Sequence, residues 1–350
     1  MSGKNYTLAQ LGWKTFFNQQ LTLENLEQTA PYRITQVFRN RVIVLGENGE
    51  RELNLAQFPH LQTCTVGDWL LIPKIQSDTP VILDRLSVFQ RKSPGANTNQ
   101  LIAANVDTAF IVSSCNNDFN LSRIERYLAL AKEAQVDAVL VLTKADLINE
   151  QQLSDYLAQL HELQSHLVVL PMDALNKEKV QQLNDWCKVG QTVVLLGSSG
   201  VGKTTLSNSL CSMEEATAAI RDDDSKGRHT TTSRSLYFTQ AGGLILDCPG
   251  MRELQLTDCE EGIKAVFSDI ERLAKQCKFT DCQHQSEPGC KVLMALDTGD
   301  LAPRRLANYQ KMLKEQARNS LTLAQSHHQD KVFGKLIKNS LKIKKSRLDP

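Results

Sequence analysis

Gly197-Ser198-Ser199-Gly200-Val201-Gly202-Lys203-Thr204 is the segment of this chain best suited to hold a polyphosphate. It follows the apolar run 192–196 and precedes Thr205-Leu206-Ser207-Asn208-Ser209-Leu210, so the expected context is buried strand, glycine-rich turn, helix. Glycines let main-chain N–H groups close on phosphate oxygens, Lys203 reaches the β/γ-phosphates, and the Thr204 hydroxyl can ligand Mg²⁺. The expected nucleotide set therefore runs from Gly197 through Ser198, Ser199, Gly200, Val201, Gly202, Lys203 and Thr204 to Thr205.

A base-reading segment is also present. The apolar run 139–142 delivers Thr143-Lys144-Ala145-Asp146, whose carboxylate can accept from the ring N–H and exocyclic amine of guanine. Adenine has no such donor pair on that edge. A second apolar run, Val168-Val169-Leu170, ends at Pro171-Met172-Asp173-Ala174. Beyond the glycine-rich loop lie Gly227-Arg228-His229-Thr230-Thr231-Thr232, a polar segment of switch character, and Asp247-Cys248-Pro249-Gly250 at the end of the run 243–246. There Asp247 can bind Mg²⁺ through water. Taken singly these pieces are common: Asp146 could equally cap a helix before Leu147, and His229 could be an ordinary solvated loop histidine. Four of them at strand ends point together to a guanine-nucleotide site. Their order is inverted, because ordinary GTPases carry the base-reading segment after the phosphate loop and this chain carries it before.

Cysteines offer a second chemistry. Cys277, Cys282, His284 and Cys290 form Cys-x4-Cys-x-His-x5-Cys, with Pro288 and Gly289 to turn the chain. Three thiolates and an imidazole fill a tetrahedral zinc shell and leave no position for water, so the expected site is structural. The alternative is three free thiols beside a surface histidine. Cys64, Cys115, Cys187, Cys211, Cys248 and Cys259 are scattered in mostly apolar or strand-like surroundings and read as small buried residues.

The elements that must position these groups fall into blocks. Residues 1–30 hold an amphipathic stretch with Leu8, Leu11, Phe16 and Leu21 near helical spacing, expected to be a packing helix or a frayed extension rather than a membrane binder. Short β-rich runs follow at 33–38, 42–45, 52–55, 69–72 and 81–86, a pattern that suits a small barrel such as an OB-fold and equally an SH3-like one. Few aromatics cluster there, which favours backbone or shape reading of RNA over base stacking, or a purely structural role. Arg91-Lys92-Ser93-Pro94-Gly95-Ala96-Asn97-Thr98-Asn99 reads as a polar connector. Helices are expected over 263–275 and 304–317. The expected division is an N-terminal extension 1–30, a barrel 31–92, a nucleotide domain 96–256, a metal-binding helical domain 257–325 and a basic tail 326–350.

Composition sets outer bounds. The chain has 350 residues, 41% hydrophobic, with a formal charge of +1, which suits a packed multidomain protein and does not advertise nucleic-acid binding. Charge is nevertheless concentrated in the tail, where Lys331, Lys335, Lys338, Lys342, Lys344, Lys345 and Arg347 face only Asp349. That tail suits either a solvated extension or an RNA contact. No apolar run approaches the ~20 residues needed to span a bilayer, and residues 1–10 lack a signal-peptide pattern. A cytoplasmic monomer with no membrane contact is expected.

The motifs together resemble the circularly permuted GTPases of the ribosome small-subunit-dependent GTPase A (RsgA or YjeQ) family, over roughly residues 30 to 320. The most diagnostic stretches are Ala103-Ala104-Asn105-Val106-Asp107, Gly227-Arg228-His229-Thr230-Thr231-Thr232 and Pro249-Gly250-Met251-Arg252-Glu253. The resemblance implies a multidomain α/β protein: an N-terminal OB-fold β-barrel, a circularly permuted P-loop GTPase domain and a C-terminal helical zinc-binding domain, with all four zinc ligands matching. It also implies a GTP hydrolase stimulated by the small ribosomal subunit in late maturation, with GTP/GDP and rRNA as partners and with Lys203 and His229 as catalytic groups. Met251 stands where small GTPases carry a water-orienting Gln and cannot bond a water, so intrinsic turnover is expected to be slow. The alternative is a nucleotide-locked RNA-binding module with negligible turnover. Two departures are expected to lower nucleotide affinity: Thr143 replaces the usual Asn, losing the amide that braces the phosphate loop, and Asp173 replaces the Ser that normally precedes Ala174.

Overall fold

The computed structural model describes residues 5–75, 79–92, 99–116, 118–164, 166–211, 234–247, 256 and 258–320. Helices α1 (Thr15–Asn18) and α2 (Leu23–Gln28) lead into strands β1 (Thr29–Val37), β2 (Arg41–Gly46), β3 (Gly49–Asn54), β4 (Trp69–Pro73) and β5 (Val81–Ile82). A hairpin of β6 (Val88–Lys92) and β7 (Asn99–Ala104) follows. The expected connector 91–99 thus supplies the facing ends of two strands, Lys92 opposite Asn99.

The nucleotide block is built from β8 (Thr108–Ser114), α3 (Leu121–Glu133), β9 (Asp137–Thr143), α4 (Glu150–Leu163), β10 (Val168–Pro171), α5 (Lys177–Val180), β11 (Thr192–Leu196), α6 (Lys203–Leu210), β12 (Arg234–Phe238) and β13 (Leu244–Asp247). Strands β10-β9-β8-β11-β13 are parallel and β12 closes against β13 antiparallel. Their near-continuous apolar runs follow from burial on both faces. Phe110, Val112, Val139, Val141, Val193 and Ile245 point to one core with Leu206 of α6. Ala109, Ile111, Leu140, Leu142, Val194 and Leu246 alternate into the other, with Ile124 and Leu128 of α3.

Four C-terminal helices complete the described chain: α7 (Glu260–Val266), α8 (Ser268–Ala274), α9 (Lys291–Thr298) and α10 (Pro303–Asn319). The single helix expected over 263–275 is two, separated at Phe267, whose backbone (φ −102°, ψ 36°) leaves the helical region. Val292, Leu306, Tyr309 and Met312 enter the same core as α3, so these helices are packed onto the nucleotide block. Gly262 makes the closest approach. A Cβ there would lie 2.2 Å from the Ala129 carbonyl of α3, so only glycine lets α7 sit at this depth.

Strand β1 belongs to two assemblies. Its first half pairs with β4, its second half with β12, and β2 lies along the other side. The register shift between Ile34 and Gln36 bends the strand at the point where its partner changes. Within the N-terminal unit the order is β3-β2-β1-β4-β5, around Tyr32, Ile34, Val44, Leu61 and Leu70. Of the two readings of the N-terminal stretch, it is the packed one: Leu11 and Phe17 are buried against Trp69, with Leu8, Phe16 and Leu21 around them.

Arg33 lies where these parts meet. Its fully buried guanidinium donates to the carbonyls of Leu11 (2.7 Å), Gly67 (3.2 Å) and Asn105 (2.9 Å) and to the Thr192 hydroxyl (2.9 Å). Burial lowers its pKa to about 10, opposed by the charges of Asp107 and Asp68. No helix among the described residues is long and apolar enough to cross a membrane.

Candidate functional site

Ligands of open parallel sheets sit at the carboxyl ends of the strands, where neighbouring connections diverge. Here β8 continues to β9 on one side while β11 lies on the other. The segment 197–204 leaves β11 at this edge and Thr143-Lys144-Ala145-Asp146 leaves β9, so the sheet brings the two sequence motifs together. Gly197 passes so close to β8 that a Cβ would lie 2.3 Å from the Val112 carbonyl. The Lys203 ammonium turns back into the loop and donates to the carbonyls of Gly197 (2.7 Å) and Ser198. Thr204 is exposed and Thr205 half-buried on the first turn of α6.

Two contacts fasten the loops to each other. Thr143, fully buried, donates its hydroxyl to the Val201 carbonyl at 2.6 Å and lies 3.3 Å from that of Ser113. The expectation that this residue leaves the phosphate loop without a brace is therefore corrected: a hydroxyl makes the contact expected of an amide. Lys144, in the left-handed region at φ 58°, lays its side chain along the loop and donates to the Gly200 carbonyl at 3.0 Å.

Ala145 and Asp146 open a short 3₁₀ turn, with Asp146 exposed. The carboxylate faces Cys115, whose thiol is pushed up to about 11 by burial and then by that negative charge. Asp173 holds its own turn, accepting from the Leu175 N–H at 2.8 Å. The neighbouring Met172 carbonyl accepts from Ala145 at 3.3 Å, so the 171–174 and 143–146 segments line one edge.

His229, Thr230 to Thr232, Cys248 to Gly250 and Met251 lie outside the described residues, as does the side chain of Asp247, whose backbone ends β13 opposite Ser235. Two groups absent from the sequence expectations reach the loop from α3. Arg123 donates to the Ser198 hydroxyl and pairs with Asp118. Tyr127, one turn further along, lies near the same Ser198 side chain. The spacing i, i+4 puts both on one helix face, but no local signal says which loop that face meets.

The sulfur cluster is separate. Ligand atoms of Cys277, Cys282, His284 and Cys290 lie within 4.8 Å of one another and could hold a metal ion. Tetrahedral zinc, with bonds of about 2.3 Å to sulfur and about 2.0–2.1 Å to nitrogen, requires S···S edges of about 3.8 Å and N···S edges of about 3.5–3.6 Å. Cys277 and Cys290 are 3.8 Å apart, and His284 Nδ1 lies 3.4 Å from Cys290 and 3.7 Å from Cys277. Desolvation opposes ionisation of Cys277, yet N–H donors of Lys291 and Val292 at the start of α9 hold its thiol below the ordinary value. His284 is itself in the left-handed region at φ 56°, and Gln310 of α10 donates to its carbonyl at 3.3 Å.

A family model described as RsgA GTPase matches residues 82–257. Small ribosomal subunit biogenesis GTPase RsgA 2 of Vibrio parahaemolyticus is 50% identical over 342 residues, 97% of this chain and 94% of that protein. Small ribosomal subunit biogenesis GTPase RsgA of Mesorhizobium japonicum is 44% identical over 318 residues, 90% and 91% of the two chains. The crystal structure of YjeQ from Thermotoga maritima aligns with a TM-score of 0.60 at 26% identity, over 82% of this chain and 98% of that one. YloQ, a circularly permuted GTPase, aligns at 0.58 and 21% identity over 82% and 94%, a likeness of fold. The inverted motif order, the sheet that reunites the motifs and these full-length relatives agree, and the chain belongs to the RsgA GTPase family.

Proposed function

We propose that this GTPase acts in biogenesis of the small ribosomal subunit and that the subunit accelerates its hydrolysis of GTP. The observation that supports the reading is the bracing of the two loops, Thr143 on Val201 and Lys144 on Gly200, which holds 143–146 against 197–204 as a base-reading edge and a phosphate cradle would require. In this reading Gly197 to Thr205 hold the phosphates, Lys203 neutralises charge that develops there, and Asp146, with Thr143, Lys144 and Ala145, selects guanine. Thr204 and Asp247 would hold Mg²⁺, which would supply positive charge to the phosphates. His229 supplies the polar group that Met251 lacks and acts on the attacking water when the partner is bound.

Cys277, Cys282, His284 and Cys290 take one structural zinc ion, a choice supported by the donor set and by the tetrahedral edges. Strands β1–β5 are read as the OB-fold of the resemblance, residues 31–92, ahead of a GTPase domain 96–256 and a zinc domain 257–325. The setting is cytoplasmic, where the small subunit and its rRNA are the partners.

Phosphate release from GTP, measured with and without purified small subunits for the parent chain and for His229→Ala, tests the reading. The parent should accelerate on the subunit, and the variant should bind GTP normally but lose most of that acceleration. A parent rate that subunits leave unchanged would reject subunit stimulation, and undetectable turnover in both conditions would favour the nucleotide-locked binding module.

A further inference from the structure

Helix α3 touches the phosphate loop with one part of its surface and the C-terminal helices with another. Asn120 caps its first turn, accepting from the Arg123 N–H at 3.0 Å. On the loop side Arg123, held by Asp118, donates to the Ser198 hydroxyl.

On the other side Glu125 is completely buried, yet its carboxylate is fully engaged by α10. Arg304 reaches it at 2.8 and 3.1 Å, Arg305 at 2.8 Å and Asn308 at 2.6 Å. Arg305 also grips Asp269 of α8 at 2.7 and 2.8 Å and the Val266 carbonyl at 2.9 Å. One residue on, Arg126 pairs with Glu315 of α10. At the far end, Glu133 accepts from the Gly262 N–H at 2.8 Å. A buried carboxylate with several charged donors tolerates little rotation or sliding of the helix that carries it, because any displacement leaves charge uncompensated in a dry interior. The position of Arg123 on α3 is therefore tied to the docking of α10.

We propose that Arg123 is a positioning residue for GTP hydrolysis, holding the phosphate loop through Ser198, and that α3 transmits to it the docking of α10. This rests on the reading of 197–204 as the phosphate site. Ser198 lies between Gly197 and Gly200, so clamping its side chain fixes the peptide groups that face the phosphates. Small errors in their aim tell on the transition state, where charge develops, more than on ground-state binding. Arg123 shares the lining of a cleft of about 280 Å³ between α3 and α10 with Arg126, Lys311 and Glu315.

The test uses the full chain, with single-turnover hydrolysis and GTP affinity measured separately. Arg123→Gln and Ser198→Ala should each slow hydrolysis about tenfold while affinity stays within about twofold, the loss expected for one hydrogen bond to a charged donor. The double variant should be no slower than the slower single one, and Arg123→Lys, which keeps a charged donor, should recover most of the rate. Glu125→Gln risks misfolding, so Glu315→Gln, at the half-exposed end of the same interface, reports on the docking. It should slow the parent about threefold and leave Arg123→Gln unchanged. An Arg123→Gln rate equal to the parent, additive losses in the double variant, or a Glu315→Gln rate equal to the parent overturns the proposal. Lys203→Ala separates the two readings: if it abolishes turnover while Arg123→Gln is normal, the phosphate site stands and the strut fails, whereas if it is active the phosphate site itself is misassigned.

Discussion

Thr143→Val isolates a single hydroxyl, since valine keeps the methyl and the volume and removes the donor. Thr143 is fully buried, its hydroxyl is 2.6 Å from the Val201 carbonyl, and its methyl lies about 3.6 Å from where a Cβ on Gly202 would stand. The variant therefore leaves packing intact and strips the loop carbonyl of its donor. Such a loss costs about 1–2 kcal/mol. The Lys144 contact to Gly200 remains, so the loop is loosened rather than released. If that cost falls on the nucleotide-competent conformation, GTP affinity drops about five- to thirtyfold. Thr143→Ser retains the donor and should bind within about threefold of the parent while losing stability through its missing methyl. Thr143→Asn returns an amide donor of nearly the same volume and should also bind near the parent value. Equilibrium titration with a fluorescent GTP analogue, beside denaturant unfolding of each variant, provides the assay. Parent-like affinity in Thr143→Val, or Thr143→Ser as weak as Thr143→Val, would refute the brace.

On the proposed reading, Asp146→Asn leaves only one oxygen to accept from the two N–H groups of guanine; GTP affinity should fall about tenfold or more and the preference over ATP should narrow, read by competitive titration. Freshly purified protein should carry one equivalent of zinc, and Cys282→Ala should lower the thermal stability of the α8–α10 region while nucleotide binding persists; metal analysis without zinc would reject the site. Gly262→Ala forces a methyl to within 2.2 Å of the Ala129 carbonyl unless α7 retreats, and should cost on the order of 1–3 kcal/mol in denaturant unfolding. An unfolding midpoint equal to the parent would show that α7 can back away from α3 freely.

Much of the nucleotide block was legible because two-sided burial writes itself into apolar runs: β9, β10, β11 and β13 all lie where the runs 139–142, 168–170, 192–196 and 243–246 place them. The cluster of Cys277, Cys282, His284 and Cys290 was legible because side-chain chemistry alone restricts what three cysteines and a histidine can do. Long-range polar contacts were not. Arg33 reads as one more charge in a β-rich run, and nothing local says that it joins Leu11, Gly67, Asn105 and Thr192 across 159 positions of sequence. Glu125 likewise sits between Ile124 and Arg126 as an ordinary helix residue until α10 is folded against it. The hairpin β6–β7 escaped because its facing ends are polar and carry no alternation. Thr143 misleads for a chemical reason: its residue type departs from the usual amide, while the geometry needs only a donor of any kind within reach of Val201.

Permutation changes what borders the segment that carries His229. That segment leaves α6 at Cys211 and returns at β12, and both exits are pinned. Cys211 bridges to Thr239 and accepts from Gln240 at 2.9 Å. Arg234, five residues after His229, pairs with Val37 of β1. The N-terminal unit is thus hydrogen-bonded through its central strand to the strand that ends this segment, and Arg33 on that same strand is locked to Thr192 at the start of β11. A load applied to β1 has two stiff routes into the nucleotide block: one through main-chain pairs toward the His229 segment, the other through a buried guanidinium toward the strand that feeds the phosphate loop. Neither route needs a flexible linker, because β1 is a strand of the same sheet as β11 and β13. A partner that engages the N-terminal unit therefore acts on strands of the sheet from which the 197–204 loop leaves.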